Sequence, residues 1–142
     1  MSEQQTHPLW WEYNCLADAE FADLKGKVLA SVEQVGNEAV IFTCTTGERY
    51  VMLHEWDCCE SVEIEDVCGE WDDLIGEEIL VAEESSNNTD PPRDQDYNDD
   101  SYTWTFYHLR TMTGAVTLRW YGTSNGYYSE RVSFGRMIDG PA

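Results

Sequence analysis

Positive charge is scarce in this sequence: 8 Lys and Arg stand against 28 Asp and Glu in 142 residues, a formal net charge of −20. A chain so poor in cations cannot grip nucleic acid by its phosphates, because that affinity comes from Lys and Arg displacing counterions. It is repelled by anionic membranes for the same reason. Long hydrophobic runs are missing too. No stretch approaches the ~18 apolar residues of a membrane-spanning helix. Residues 1–14 place charged and polar residues where a secretory signal needs an unbroken apolar core. Cysteine is present in a number that suits export poorly: five (Cys15, Cys44, Cys58, Cys59 and Cys68), with two adjacent. Secreted disulfide frameworks favour even, well-spread sets. Reduced thiols in a cytoplasm are therefore expected, and the Asn87-Asn88-Thr89 sequon is idle without export. Neither a Gly-rich phosphate loop nor a G-x-S-x-G elbow occurs, which removes two common enzyme classes.

Apolar side chains are not scarce. They make up 42% of the chain and aromatics 13%, far more than an acidic disordered chain carries. The length fits one domain. Charge is unevenly spread: residues 54–100 hold 18 acids and a single base, Arg93, whereas residues 101–142 hold 2 acids and 4 bases. A block of that kind attracts cations or basic partners.

Periodicity points to a mainly β fold with minor helix, a single domain built on an antiparallel sheet with hairpins and one or two short helices. Residues 1–25 read as a lead-in with a short helix near Asp18–Leu24, Asp18 being the candidate cap. Residues 26–138 read as the β-rich domain. Val28–Val35, Val40–Cys44 and Arg49–His54 are strand-like, the last two joined by Thr46-Gly47-Glu48 as a hairpin. Val62 and Ile64 alternate with Glu63 and Glu65. Trp71–Ile75 forms a helical turn between glycines, and Ile79–Ala82 is another short apolar run. Residues 85–100, with two prolines and no apolar period, are expected to be a mobile acidic loop. Beyond it, Tyr102–Phe106, Val116–Tyr121 and Tyr128–Phe134 read as a three-stranded meander, the last two joined through Ser124-Asn125-Gly126. Alternation places Trp104, Phe106, Leu118, Trp120 and Phe134 inside.

Several long motifs stand in a specific order. They are His54-Glu55-Trp56-Asp57-Cys58-Cys59-Glu60-Ser61, Asp73-Leu74-Ile75-Gly76, Tyr102-Thr103-Trp104-Thr105-Phe106-Tyr107 and Arg119-Trp120-Tyr121-Gly122-Thr123-Ser124-Asn125-Gly126-Tyr127-Tyr128-Ser129. Over Gly26–Phe134 the chain resembles an uncharacterised domain family of bacteriophages and bacteria. The resemblance implies a phage or prophage setting, hence the cytoplasm of a bacterial host, and supplies no activity.

Five chemistries compete for the notable residues. The first is a partner-binding face of Glu60, Glu63, Glu65, Asp66, Glu70, Asp72 and Asp73. On a regular strand Glu63 and Glu65 project the same way, about 6.6–6.8 Å apart, close to the spacing of phosphates along a nucleic-acid strand. The blander reading is a solvated face that confers solubility. The second is calcium at Asp94, Asp96 and Asn98, which match the first EF-hand ligand positions. Asp99 and Thr105 stand where glycine and a bidentate Glu are required, so no true EF-hand results. The third is zinc on His54, Cys58, Cys59 and Cys68, opposed by adjacent cysteines pointing to opposite faces of a strand. The fourth is a nucleophilic Cys58 or Cys59 with His54, Asp57 and Glu60, opposed by neighbouring carboxylates that raise a thiol's pKa. The fifth is base stacking by Tyr107, Trp120, Tyr121, Tyr127 and Tyr128 with Arg110, Arg119 and Arg131. Cross-strand packing accounts for these more simply, leaving Tyr121, Tyr127, Arg119 and Arg131 as a secondary contact patch.

The sequence is thus read as a non-enzymatic, cofactor-free interaction protein. Its partner would be a basic, nucleic-acid-handling host protein which it inhibits by imitating DNA, as in evasion of host defence such as CRISPR. The competing readings are a metal- or thiol-dependent accessory enzyme centred on His54–Glu60 and a structural accessory of a virion.

Overall fold

The computed structural model describes residues 16–54, 60–92, 101–126 and 129–137. In chain order the strands are β1 (Leu16–Asp18), β2 (Leu29–Val35), β3 (Ala39–Cys44), β4 (Arg49–Leu53), β5 (Ser61–Cys68), β6 (Val81–Asn87), β7 (Ser101–Arg110), β8 (Ala115–Ser124) and β9 (Ser133–Met137). Two single turns of 3₁₀ helix, Phe21–Leu24 and Trp71–Leu74, interrupt them. The mainly β architecture is as the alternation and turn signals require. Among the described residues no helix is long and apolar enough to cross a membrane.

The strands form two antiparallel sheets. Sheet 1 has the order β1-β9-β4-β3-β2 and sheet 2 the order β5-β8-β7-β6. Their inner faces share one core. Phe42, Tyr50 and Met52 of sheet 1 meet Tyr107, Leu118 and Trp120 of sheet 2, with Phe21 and Leu24 of the first 3₁₀ turn between them. Trp120 is fully buried, and its indole N–H finds a partner across the sheets in Met52 Sδ at 3.2 Å. Phe134 stacks on Tyr50 with ring centroids 5.6 Å apart and meets Phe21 edge-on at 5.5 Å. A second cluster (Ala39, Ile41, Val51, Leu53 and Met137) buries the opposite face of sheet 1. This explains why β3 and β4 read as continuous apolar runs, the mark of strands covered on both sides.

Four sequence expectations change. The last third is not a meander. β7 and β8 form a hairpin, but β9 leaves that sheet and lies between β1 and β4, Val51 opposite Gly135 and Ala17 opposite Arg136. Trp104 and Phe106 stand opposite Tyr121 and Arg119, not Leu118 and Trp120, so they occupy the outer face while Thr105, Tyr107 and Leu109 point inward. Trp104 is still only 7% exposed, because the chain at Asp90–Pro91 folds over it and the Pro91 carbonyl accepts its indole N–H at 2.9 Å. Ser85–Asn87 belong to β6 instead of the acidic loop. Asp18 lies in β1, and the first 3₁₀ turn is capped by Glu20, whose backbone N–H donates to Asp23 Oδ2 at 2.9 Å.

Candidate interaction surface

β5 is an edge strand of sheet 2, paired on one side with β8. Its inward residues Ile64 and Val67 join the core, which leaves its acidic residues on the other side. The alternation is broken once. Ile64 pairs with Trp120 and Val67 with Leu118, so Glu65 and Asp66 together stand opposite the single Arg119. This is a β-bulge, which adds one residue and bends the strand. The even phosphate-like spacing expected of Glu63 and Glu65 on a flat strand therefore does not hold. Asp66 Oδ2 lies 3.9 Å from Arg119 Nη2, a long and half-exposed pair that neutralises little. Asn37 donates its side-chain amide to Glu63 Oε1 at 3.3 Å.

Beyond β5 the chain turns through Gly69, at φ 114°, where a Cβ would meet the Ala115 carbonyl oxygen at 2.4 Å. Only glycine permits that passage. Glu70, Asp72 and Asp73 follow, all exposed. The backbone of this acidic turn is pinned from beneath: Thr111 and Thr113 donate their hydroxyls to the Asp73 carbonyl at 2.8 and 2.6 Å. A fixed scaffold thus presents carboxylates along β5 and the turn after it, a line of roughly 25 Å for the strand alone.

Glu60 is not part of this face. It is 4% exposed, and its Oε2 lies 2.6 Å from His54 Nε2. The other ring nitrogen donates to the Arg131 carbonyl at 2.7 Å. His54 and Glu60 therefore serve each other as a buried tie between the end of β4, the start of β5 and the segment before β9. Asp57, Cys58, Cys59 and Tyr127 lie outside the described residues, as do Asp94, Asp96 and Asn98. Cys68 is exposed at the far end of β5, a full strand away from His54, which removes the zinc set as drawn. Among the described residues no three His, Cys, Asp or Glu side chains converge as metal ligands. The contact patch also changes: Tyr121 is 1% exposed and packs against Trp104 with centroids 4.4 Å apart, and the Arg119 guanidinium lies 5.2 Å over the Trp104 ring. Arg119 and Arg131 remain on the surface, on different sides of sheet 2.

The sequence reading missed a polar cleft of about 430 Å³ lined by Glu84, Ser86, Thr103, Thr105, Glu130 and Arg131. Glu130 is held in place by hydroxyls from Thr103 and Ser124, each 2.6 Å away. Polar residues at inward positions of β6 and β7 were the available signal, since an inward Thr or Glu marks a stretch that the other sheet does not cover.

No curated protein and no solved structure matches the chain. A family model, that of a domain of unknown function (DUF7448), matches residues 22–134, which run from the first 3₁₀ turn into β9. The chain belongs to the DUF7448 family.

Proposed function

We propose that this protein is a non-catalytic binding domain that docks the acidic edge formed by β5 and the following turn onto a basic surface of another protein, one that handles nucleic acid. One observation carries the reading: Glu63, Glu65 and Asp66 on the edge strand β5 and Glu70, Asp72 and Asp73 on the turn that follows it form one acidic stretch, and residues 60–92 contain no Lys or Arg to offset them. A groove evolved for phosphates offers the complementary charge, with the salt sensitivity of ionic association. Because the bulge disturbs the regular spacing, attraction would rest on charge density rather than on an imitation of the phosphate ladder. A phage or prophage inhibitor of a host nucleic-acid enzyme would use such a face.

The test is the quadruple variant E65K/D66K/E70K/D72K. It is expected to keep its circular dichroism spectrum and to lose retention of a basic nucleic-acid-binding protein from bacterial lysate. The native protein is expected to retain that partner at low salt, release it at moderate salt and yield it to competing duplex DNA. Equal retention by the reversed variant would overturn the proposal.

A further inference from the structure

The two edges of sheet 2 are unlike. Along β5 the hairpin of β2 and β3 closes in: the Asn37 carbonyl accepts the Ile64 N–H at 2.8 Å, and the Trp71 indole N–H donates to Gln34 at 3.3 Å. The bulge distorts that edge further, a familiar guard against unwanted pairing. β6, at the opposite edge, carries no bulge, and what packs against it besides its partner β7 is the first 3₁₀ turn, Phe21–Leu24, rather than another strand. Its seven residues stay in unbroken register with β7 from Val81 opposite Arg110 to Asn87 opposite Trp104, without bulge or proline. Glu83, Glu84, Ser85 and Ser86 are exposed, and among the described residues no strand pairs with the outer side of β6. A straight edge of this length presents backbone donors and acceptors that another strand can use.

The side chains of that edge select what can pair. Glu84 and Ser86 share the face of inward-pointing Tyr107 and Thr105 and open onto the polar cleft, while Glu83 points the other way, opposite His108. Around the edge and cleft stand three carboxylates, Glu83, Glu84 and Glu130, and two arginines, Arg131 at the cleft and Arg110 opposite Val81 at the start of the strand. The Tyr107 hydroxyl is fully buried beside the Glu84 carboxylate. A second copy of the chain is a poor occupant, since pairing β6 with itself about residues 83–84, a register that covers most of the strand, sets the two glutamates against each other, and facing like charges destabilise a sheet. A strand bearing cations is a good one.

We propose that β6 is a docking edge for an extended segment of another protein with Lys or Arg at alternate positions, which adds to sheet 2 as a fifth strand. Its backbone pairs with β6, and its inward basic side chains lie beside Glu84 at the mouth of the cleft. This surface is separate from the acidic β5 edge and goes beyond the function proposed for it.

The probe is a synthetic peptide of about nine residues, long enough to cover the strand, alternating Lys with Thr and Val. Isothermal titration is expected to show binding, and hydrogen exchange to show new protection of the amides of residues 82–86. N-methylation of every second peptide bond, which removes backbone donors without changing charge, should weaken binding by about tenfold or more. E84K should do likewise, while D66K/D72K on the opposite edge should leave binding within about twofold. Undiminished binding of the N-methylated peptide would overturn the proposal by showing charge attraction alone. Loss of binding in D66K/D72K would overturn it by placing the peptide on β5. A dimer in sedimentation, with these amides already protected, would overturn it by giving the edge to a second copy.

Discussion

Two buried polar residues carry more than their share of constraint. His54 and Glu60 have side-chain exposures of 5% and 0%. A carbonyl can only accept, so the proton on Nδ1 is fixed by Arg131, and Nε2 and the Glu60 carboxylate must share whatever proton lies between them. Deleting one member leaves the other buried beside an empty space. Glu60→Ala is expected to lower the unfolding free energy by about 3 kcal/mol, read from urea denaturation; a loss well under 1 kcal/mol would show that the tie is dispensable. Tyr107 sets a limit at the alkaline end. Burial first, and the Glu84 carboxylate second, hold its pKa far above the ordinary phenol value. The folded state thus keeps a proton that the unfolded chain releases above about pH 10, and stability falls as pH rises past that point. Tyr107→Phe should flatten the decline between about pH 9 and about pH 11, measured as the midpoint of thermal unfolding across that range.

At the scale of elements, the passage from β5 into the acidic turn depends on Gly69. Gly69→Ala adds a Cβ at 2.4 Å from a backbone oxygen in a left-handed conformation, whereas Gly36, at φ 55°, has no atom within 4 Å of such a Cβ. We expect Gly69→Ala to cost about 3 kcal/mol or more and Gly36→Ala about 1 kcal/mol, compared by chemical denaturation of the two variants. Which elements were readable from sequence follows a similar local logic. The β3–β4 hairpin was legible because Thr46-Gly47-Glu48 announces its turn between two apolar runs. The phase of β7 was not. Threonines and aromatics alternate there, and size alone points the larger side chains to the core; in fact Thr103 and Thr105 face an open part of the sheet, while Trp104 is covered from outside by Asp90–Pro91. The bulge at Glu65 was equally hidden, because Val-Glu-Ile-Glu alternates perfectly and only the partner strand reveals the extra residue.

For the molecule as a whole, legibility ends where pairing becomes non-local. The mainly β class and the acidic centre could be read from composition, since both are sums over residues. The departure of β9 to sheet 1 could not, because Asn125-Gly126 is a strong local invitation to a hairpin and nothing nearby in the chain signals the competing partners β1 and β4. The acidic edge was half visible: six of its seven expected carboxylates lie on β5 and the following turn, but Glu60 turns inward to His54. The cleft was invisible for a different reason. Glu84, Thr103 and Glu130 come from three separated segments, and each alone is an unremarkable polar residue.

The placement of β9 has a bearing on how the chain assembles as it leaves the ribosome. All four strands of sheet 2 fall within one continuous stretch, Ser61 to Ser124, and can pair as they emerge. Sheet 1 cannot. β4 and β1 meet only through β9, so Arg49–Leu53 waits beside an empty place until Ser133–Met137 has emerged. Closure of sheet 1 is thereby deferred until after all of sheet 2 has been made, a long-range step of the kind that slows folding.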